Sequence, residues 1–294
     1  MITDTHVHVF PPDIIRDWEK IAARETHFAS LVRGKVHRWA TVEDVVDSMR
    51  ASGIGESWIF GFAFEDQGLC RLCNDYVIEA LRKHPDGLRG LAVVSPGCAG
   101  CEAEIVRCRE AGLIGIGELF PQGQGVDITD ARQTWRLASL AYEAGMFLLI
   151  HTAEPVGHDY PGKGNVGPKE AAAFCINHPE VSVVFAHFGG GLWQYELMPE
   201  MKRALSNAWY DTAAFPWLYS PNVFLAIESA CISEKFLYGS DFPVLSYPRY
   251  SKLWEQAGLK GENLEKILSG NAERLLHNAA NTLLLPASSS KSRS

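Results

Sequence analysis

Two histidines stand one residue apart near the amino terminus, in the run ITDTHVHVF. If this run forms a strand, His6 and His8 point to the same face, because side chains alternate across a strand. Their ring nitrogens would then converge on one spot, as the ligands of a divalent metal ion must. The other interpretation of the pair is a coincidence on a surface strand, so the rest of the chain has to decide.

Four more side chains of the kinds that bind metal ions end apolar runs later in the chain: Glu118 in GIGELF, His151 in LLIHTAE, His187 in VVFAHFGGG and Asp241 in LYGSDFP. Imidazoles and carboxylates suit hard or borderline divalent ions. Successive members stand one or two strand–helix units apart, each unit being roughly 30 residues long. Any one of these side chains alone is typical of a polar group in a core or at a rim. Six of them, counting His6 and His8, all at the ends of strands and at a similar height, predict a metal site.

The strands that would position these groups alternate with helical segments along the chain. We predict eight strands, at residues 2–9, 56–64, 88–94, 114–120, 146–152, 181–187, 208–212 and 235–241. Helical periodicity lies between them, for example at 41–51, 75–83, 103–111, 130–144 and 169–177. Eight such units predict an α/β fold, a single (β/α)8 TIM barrel, in which active sites lie at the carboxyl ends of the strands.

One domain is expected to span residues 1–280, because 294 residues with 47% hydrophobic content can bury a core of barrel size. A polar and aromatic insertion at 11–40 follows the first strand. Thr41 and Asp130 have the side chains of helix N-caps, and Gly53 stands where a helix should stop. The tail, residues 281–294, is expected to be disordered, since its end PASSSKSRS cannot pack.

Composition argues against several classes of partner. The net charge of -8, with no basic run interleaved with aromatics, disfavours nucleic acid. No stretch approaches the roughly 18 apolar residues of a membrane span, and the amino terminus lacks a basic segment followed by an apolar run. We expect a cytoplasmic protein with a small-molecule substrate and no membrane partner. No interface signal is visible, and a homodimer is left open.

The cysteines allow two interpretations. Seven of them, an odd number, favour reduced thiols over a disulfide framework. The pairs Cys70/Cys73 and Cys98/Cys101 have the internal spacing of a four-thiolate zinc site. Cys70 and Cys73 also fall near the start of a helix, where packing explains them. Ordinary buried thiols are therefore favoured, with a structural zinc as the alternative.

The segments DTHVH, IHTAE, AHFGGG and GSDFP resemble the motifs of the amidohydrolase superfamily. They are most similar to its amidohydrolase-related branch, which contains aminocarboxymuconate-semialdehyde decarboxylase, hydratases and lactone hydrolases. The segments NDYVIEALRKHPDGLRGLAVVSP and AGLIGIGEL extend the similarity, which runs over about residues 2–276. The HxH pair together with the strand-eight aspartate is specific, whereas either part alone is weak.

This resemblance implies a catalytic divalent ion, most often zinc with manganese also open, held by four residues: His6, His8, His151 and Asp241. His187 would be the base or polarising group of a one-metal site, or the ligand of a second metal. Glu118 departs from the pattern of the decarboxylase-like members. A carboxylate after strand four is similar to the bridging ligand of TatD-like and phosphotriesterase-like members. One ion is favoured and two are left open.

The chemistry that these groups could perform is hydrolysis of an amide, ester or lactone in a small molecule, because a divalent ion activates water at neutral pH. Asp241 could act as general base and then general acid, and His187 could stabilise an oxyanion. A decarboxylase or other lyase of an aromatic or muconate-like acid is the alternative, and it asks for a cation to hold the acid. Arg38 and Lys163 are the candidates for that cation, and Trp39 for an apolar wall. A third hypothesis is a non-catalytic binding protein.

Overall fold

The computed structural model describes residues 1–281, which form a barrel of parallel strands. The strands are β1 (Thr3–His8), β2 (Glu56–Phe60), β3 (Leu88–Ala92), β4 (Gly115–Leu119), β5 (Phe147–Ile150), β6 (Val183–Phe185), β7 (Ala208–Asp211) and β8 (Phe236–Leu237). They neighbour one another in chain order. The predicted (β/α)8 barrel is therefore confirmed.

Helices follow the strands and cover the barrel. They are α1 (Pro12–Arg16), α2 (Trp18–Ala22), α3 (Thr26–Val32), α4 (Val42–Ser52), α5 (Gln67–Lys83), α6 (Cys101–Glu110), α7 (Ala131–Glu143), α8 (Pro168–Asn177), the single turn α9 (Ala186–Gly189), α10 (Pro199–Ala204), α11 (Phe215–Leu218), α12 (Val223–Ser229), α13 (Tyr247–Ala257), α14 (Gly261–Glu265) and α15 (Asn271–Asn281). Short 3-10 segments lie at Leu192–Leu197 and Ser233–Lys235, and a π-helical turn at Lys266–Gly270 joins α14 to α15. The core lies between these helices and the strands, whose residues are nearly all buried on both faces, as expected for a parallel sheet.

The barrel closes where the chain beyond β8 returns to β1. The Thr5 amide donates to the Tyr238 carbonyl at 2.8 Å, and the His8 amide donates to the Phe242 carbonyl at 2.8 Å. Val7 and Phe242 also form an isolated parallel bridge. Because these bonds are separate rather than a continuous ladder, β8 has only two residues where the sequence predicts seven, 235–241.

Two helices begin as their sequences indicate. The Thr41 hydroxyl accepts from the Asp44 amide, and the Asp44 carboxylate accepts from the Thr41 amide, so that α4 starts with a complete capping box. The Asp130 carboxylate accepts from the Arg132 amide at the start of α7. Gly53 ends α4 with a left-handed φ of 68°, which glycine adopts without steric cost.

The insertion after β1 is more regular than the sequence suggests. It consists of α1, α2 and α3, followed by turns at 33–36 and an irregular segment at 37–40. Phe28 of α3 is fully buried and contacts Phe62 and Phe64, with ring centroids 5.2 and 5.0 Å apart. The Phe10 amide donates to the Ala40 carbonyl at 2.8 Å, which fastens the two ends of the insertion together. The insertion is thus a folded layer over one side of the barrel mouth.

Five of the seven cysteines are buried, Cys98 is half-buried and Cys231 is exposed. The Cys70 thiol donates to the Phe64 carbonyl at 3.3 Å, and the Cys98 thiol donates to the Glu65 carbonyl at 3.5 Å. Within residues 1–281, the groupings that could hold a metal ion contain no cysteine. The favoured interpretation, ordinary thiols, is therefore the one that the geometry supports.

Four expectations are covered by this structure only in part or not at all. The prediction for the tail falls on residues that lie, after Asn281, outside the described part of the chain. Among residues 1–281 no helix combines the length and apolar character needed to cross a membrane. A cytoplasmic location and a homodimer stay predictions.

We expect Thr41→Ala to lower the free energy of unfolding by about 1 kcal/mol, because it removes one half of the capping box of α4. Thr26→Ala, at the first position of α3, is the matched control, since the residue before it makes no side-chain cap bond there. Urea unfolding followed by circular dichroism gives both values. Equal effects of the two substitutions would show that the cap bond contributes nothing.

Candidate metal centre and active-site cavity

The six predicted ligands meet at the carboxyl ends of the strands. His6 and His8 lie at the end of β1, Glu118 in β4 and His151 directly after β5. The last two members follow their strands by a few residues, namely His187 in α9 and Asp241 beyond β8. The structure thus brings together all six side chains, although the first and the last of them, His6 and Asp241, lie near opposite ends of the chain.

The first ligand group consists of His6, His8 and Asp241. Their ligand atoms all lie within 4.8 Å of one another. The two Nε2 atoms are 3.3 Å apart, and Asp241 Oδ1 lies 3.8 Å from His6 Nε2 and 3.4 Å from His8 Nε2. Ligands bound at about 2.0–2.2 Å around one ion are separated by about 3–4 Å, so this group has the spacing of a divalent metal site.

Glu118 lies between this group and a second one. Its Oε2 is 3.6 Å from the Nε2 atoms of both His6 and His8. Its Oε1 is 2.9 Å from His151 Nδ1 and 3.4 Å from His187 Nε2. Each oxygen of this carboxylate therefore faces a different pair of imidazoles.

The second ligand group consists of His151, His187 and Glu118. His151 Nδ1 and His187 Nε2 are 3.1 Å apart, and His6, Glu118 and His187 offer ligand atoms that all lie within 4.8 Å of one another. The donor set is nitrogen and oxygen throughout, which suits zinc or manganese. The residues present therefore fit a divalent metal ion at either group.

Asp211 orients two of these ligands. Its Oδ2 lies 2.8 Å from His6 Nδ1, so that the other ring nitrogen of His6 faces Glu118. Its Oδ1 accepts from the backbone amides of His187 at 2.9 Å and Ala213 at 3.0 Å. A carboxylate behind a histidine ligand is a common feature of metal sites, since it fixes the tautomer of the ring.

The turn after β6 places His187 by means of backbone angles in the left-handed region. His187 and Phe188 have φ values of 56° and 59°, and Gly190 continues with 56°. A Cβ atom on Gly190 would overlap the carbonyl of Ala153. His187 Nδ1 lies 3.1 Å from the Ala213 carbonyl and so donates to it, which leaves Nε2 facing Glu118. Gly190 of AHFGGG is thus required by the close approach of the Ala153 backbone.

The charges of the site balance one another. Burial raises the pKa of Glu118, but the positive charges of His6 and His151 outweigh it and hold that pKa well below its usual value. Burial lowers the pKa of His6, but Asp211 and Glu118 raise it well above its usual value. The pKa of His187 is raised to about 9, since Glu118 outweighs the burial that lowers it. Protons on His6 and His187 thus compensate the carboxylates, and a metal ion would replace such protons.

A cavity of about 910 Å³ opens over the ligands, and its size suits a small molecule. Five of the six predicted ligands lie on its wall, all except His6. The wall also contains aromatic rings and a basic segment, namely Phe10, Phe62, Phe120, Trp217, Arg33, Lys35 and Arg38. Within the described chain, Arg38 is the one predicted substrate-binding residue on that wall. Trp39 packs behind it, with its ring centroid 5.0 Å from Phe10 and 4.3 Å from His37.

Lys163 is not among the residues that line the cavity. Its Nζ donates to the carbonyls of Val156 and His158, each at 3.2 Å, in its own loop. A role of this ammonium in holding substrate stays a prediction that the observed conformation does not support.

Sequence reasoning missed part of the cavity wall. Arg33, Lys35 and His37 line it beside Arg38. Burial, His8 and Arg38 lower the pKa of His37 to about 4, so that its ring is neutral. The sequence signal for this part of the wall is the basic run RGKVHR at 33–38, in which the sequence predicts only Arg38 as a substrate-binding residue.

Comparison with known proteins gives the family. A family model described as Amidohydrolase matches residues 3–277. The chain therefore belongs to the amidohydrolase family, as its motifs suggest. No curated protein sequence matches it significantly.

Solved structures share the fold at low sequence identity. The structure of 5-carboxyvanillate decarboxylase from Sphingomonas paucimobilis is 14% identical and covers 94% of this chain and 98% of its own, with a TM-score of 0.70. Dihydroxybenzoic acid decarboxylase from a Polaromonas species, with bound manganese and the inhibitor 2-nitroresorcinol, is 16% identical over 97% and 99%, with a TM-score of 0.68. A probable 2-pyrone-4,6-dicarboxylic acid hydrolase from Acinetobacter baumannii, with citric acid bound, is 17% identical over 94% and 99%, with a TM-score of 0.62.

We expect Gly190→Ala to destabilise the protein more than Gly258→Ala does. Both positions have positive φ, 56° and 69°, so both substitutions cost about 1–2 kcal/mol in backbone strain. A Cβ at 190 would in addition overlap Ala153, whereas a Cβ at 258 has no atom within 4 Å. Thermal unfolding of the two variants measures the difference. An equal loss in both would contradict the close approach at the turn.

Proposed function

We propose that this member of the amidohydrolase family is a metal-dependent hydrolase that cleaves an amide, ester or lactone bond in a small carboxylic acid. The position of Glu118 carries the proposal. A carboxylate that presents one oxygen to each of two imidazole groups has the geometry of a bridging ligand between two ions, an arrangement used for hydrolysis.

The proposed ligands are divided between two ions. His6, His8 and Asp241 would hold the first, and His151 and His187 the second, with Glu118 shared. The geometry of Glu118 thus supports two ions over the single ion that the sequence resemblance favours. Zinc and manganese both suit the nitrogen and oxygen donors, and manganese is bound in the related Polaromonas decarboxylase.

The ions would supply Lewis-acid activation of water and of the scissile carbonyl group. The residues supply proton transfer and orientation. Asp241 lies on the cavity wall, and His8, His6 and His187 outweigh its burial and hold its pKa below the usual value. It can therefore accept a proton from water and return it to the leaving group. If one ion binds, His187 Nε2 would instead donate to the developing oxyanion.

The carboxylic-acid substrate class is supported by the basic segment of the cavity. Arg33, Lys35 and Arg38 line its outer part in a chain whose net charge is -8, so this local excess of positive charge would attract an anion. The phenylalanines of the wall suit a planar or unsaturated body. The three related structures are named for 5-carboxyvanillate, dihydroxybenzoic acid and 2-pyrone-4,6-dicarboxylic acid, which all carry carboxyl groups.

A decarboxylase of an aromatic or muconate-like acid is the second candidate. The same basic segment favours it, and two of the three related structures are decarboxylases. In that reaction the Asp241 and His187 pair would deliver a proton to carbon. The two candidates differ in whether water is consumed or carbon dioxide is released.

We expect wild-type protein to hold two equivalents of metal and Glu118→Gln to hold one or none, because the neutral amide cannot bridge two cations. Glu43→Gln, the same change at an exposed position of α4, should keep both equivalents. Inductively coupled plasma mass spectrometry on protein grown with added zinc or manganese gives the counts. One equivalent in wild type, unchanged in Glu118→Gln, would rule out the bridged pair, and no metal would refute the metal-dependent reaction.

We expect the metal-loaded enzyme to add water to a lactone or ester of an unsaturated acid, such as 2-pyrone-4,6-dicarboxylate, without releasing carbon dioxide. Mass spectrometry of the products and a carbon dioxide assay separate the two candidates. Arg38→Gln should raise KM by about tenfold, since a charged hydrogen bond to a carboxylate contributes about 1.5 kcal/mol or more. Arg50→Gln, on the exposed face of α4, should leave KM unchanged. Release of carbon dioxide from dihydroxybenzoates instead would favour the decarboxylase.

A further inference from the structure

The loop between β5 and α8, residues 152–167, closes over the cavity and is called the β5 loop here. Tyr160, Pro161 and Gly162 line the cavity from this side. The loop also touches the insertion opposite: a Cβ on Gly162 would lie 3.3 Å from Leu31, and one on Gly34 would lie 3.4 Å from Pro161. The β5 loop and the insertion therefore meet across the mouth.

The β5 loop also contacts a proposed metal ligand directly. His151 Nε2 lies 3.1 Å from the carbonyl oxygen of Lys163. A carbonyl oxygen can only accept, so His151 carries a proton on Nε2, and Nδ1 is the nitrogen that faces Glu118 and His187. The loop backbone thus selects the nitrogen with which His151 would bind an ion.

Packing reinforces this bond. The His151 ring stacks on Phe120, with centroids 4.3 Å apart. Gly164 lies against both rings, since a Cβ there would be 3.0 Å from Phe120 and 3.2 Å from His151. Only a residue without a side chain lets the loop approach the imidazole this closely. The position of the β5 loop and the orientation of His151 are therefore linked.

The Lys163 side chain is used inside the β5 loop. Its ammonium donates to the carbonyls of Val156 and His158 and lies 3.5 Å from Asp159, although the side chain is only 13% exposed. These partners all belong to the same loop, within seven residues of Lys163. The ammonium consequently fixes the fold of the loop that carries the Lys163 carbonyl.

We propose that Lys163 is a positioning residue that couples closure of the β5 loop to metal binding. Its ammonium holds the loop folded, and its carbonyl keeps His151 oriented with Nδ1 toward the ion. By linkage, an ion that binds the oriented histidine stabilises the folded loop to the same extent. This inference rests on the metal site of the proposed function and extends it, because it makes access to the cavity depend on the metal.

The test compares the full-length wild type with Lys163→Met, which keeps the length of the side chain and removes its charge. Each protein is stripped with a chelator and titrated with Mn²⁺ by isothermal calorimetry. Hydrogen exchange of peptides from the β5 loop is measured with and without Mn²⁺. We expect the β5 loop of Lys163→Met to exchange faster, because its carbonyls lose the ammonium. The Lys163 carbonyl is then held less firmly behind His151, so this variant should bind the weaker equivalent about tenfold less tightly, the lower end of the effect of disturbing a partner behind a metal ligand. Lys169→Met, on the exposed start of α8, should behave as wild type.

A second pair of variants tests the linkage without changing Lys163. Gly164→Ala and Gly157→Ala place a methyl group at positive φ in the same loop, at 71° and 86°. The first would press on His151 and Phe120, whereas the second has no atom within 4 Å. Gly164→Ala should therefore weaken Mn²⁺ binding more than Gly157→Ala does.

Three results would overturn the inference. The first is that Lys163→Met binds Mn²⁺ as tightly as wild type does. The second is that hydrogen exchange of the β5 loop in wild type does not slow when Mn²⁺ is added. The third is that Gly164→Ala and Gly157→Ala weaken Mn²⁺ binding equally. Each of these leaves the proposed metal site standing, provided that wild type binds Mn²⁺. Wild-type protein that binds neither Mn²⁺ nor Zn²⁺ would refute the proposed function, and this inference with it.

Discussion

A buried carboxylate that faces four imidazoles is the interaction on which the arrangement of the site depends. Glu118 is 9% exposed, and burying its charge is unfavourable unless cations or donors surround it. Its oxygens meet that requirement in two directions, toward the histidines of β1 and toward His151 and His187. The imidazoles are held from behind in turn, as His6 is by Asp211. The polar centre is therefore stable as a connected set, because an imidazole turned away would leave the carboxylate less compensated.

The barrel supplies this set through the same bonds that close it. The Asp241 amide donates to the His6 carbonyl at 3.0 Å, and the His8 amide donates to the Phe242 carbonyl at 2.8 Å. The first ligand group thus consists of side chains from two segments whose backbones pair at the point of closure. The bonds that close the barrel thus also bring this group together, although His6 and Asp241 lie near opposite ends of the chain.

Regular patterns explain what the sequence predicts and what it does not. The spacing of His6 and His8 and the recurrence of ligand types after apolar runs follow from strand geometry, so they are enough to predict the barrel and to bring the ligands together. The helices of the insertion have five to seven residues, fewer than two full turns, and such segments carry no reliable periodicity. Lys163 shows a second limit. Its charge suggests a contact with substrate, but the direction of its ammonium depends on loop carbonyls that no short-range pattern encodes.

The predicted ligands do not by themselves choose between hydrolysis and decarboxylation, because one fold can serve different reactions. The choice depends on which end of the substrate meets the ligands. Arg33, Lys35 and Arg38 are exposed and lie in the outer part of the cavity, whereas Glu118 and His187 are buried within it. If the basic segment holds one carboxylate of an acid that also carries an ester or lactone, that bond can lie at the predicted ligands and be hydrolysed. If a carboxylate lies at the predicted ligands instead, it is the group that can be lost as carbon dioxide. On the proposed function, the insertion that supplies the basic segment would therefore set which end of the substrate reaches the predicted ligands, and it is the part of the wall for which the sequence pattern is least informative.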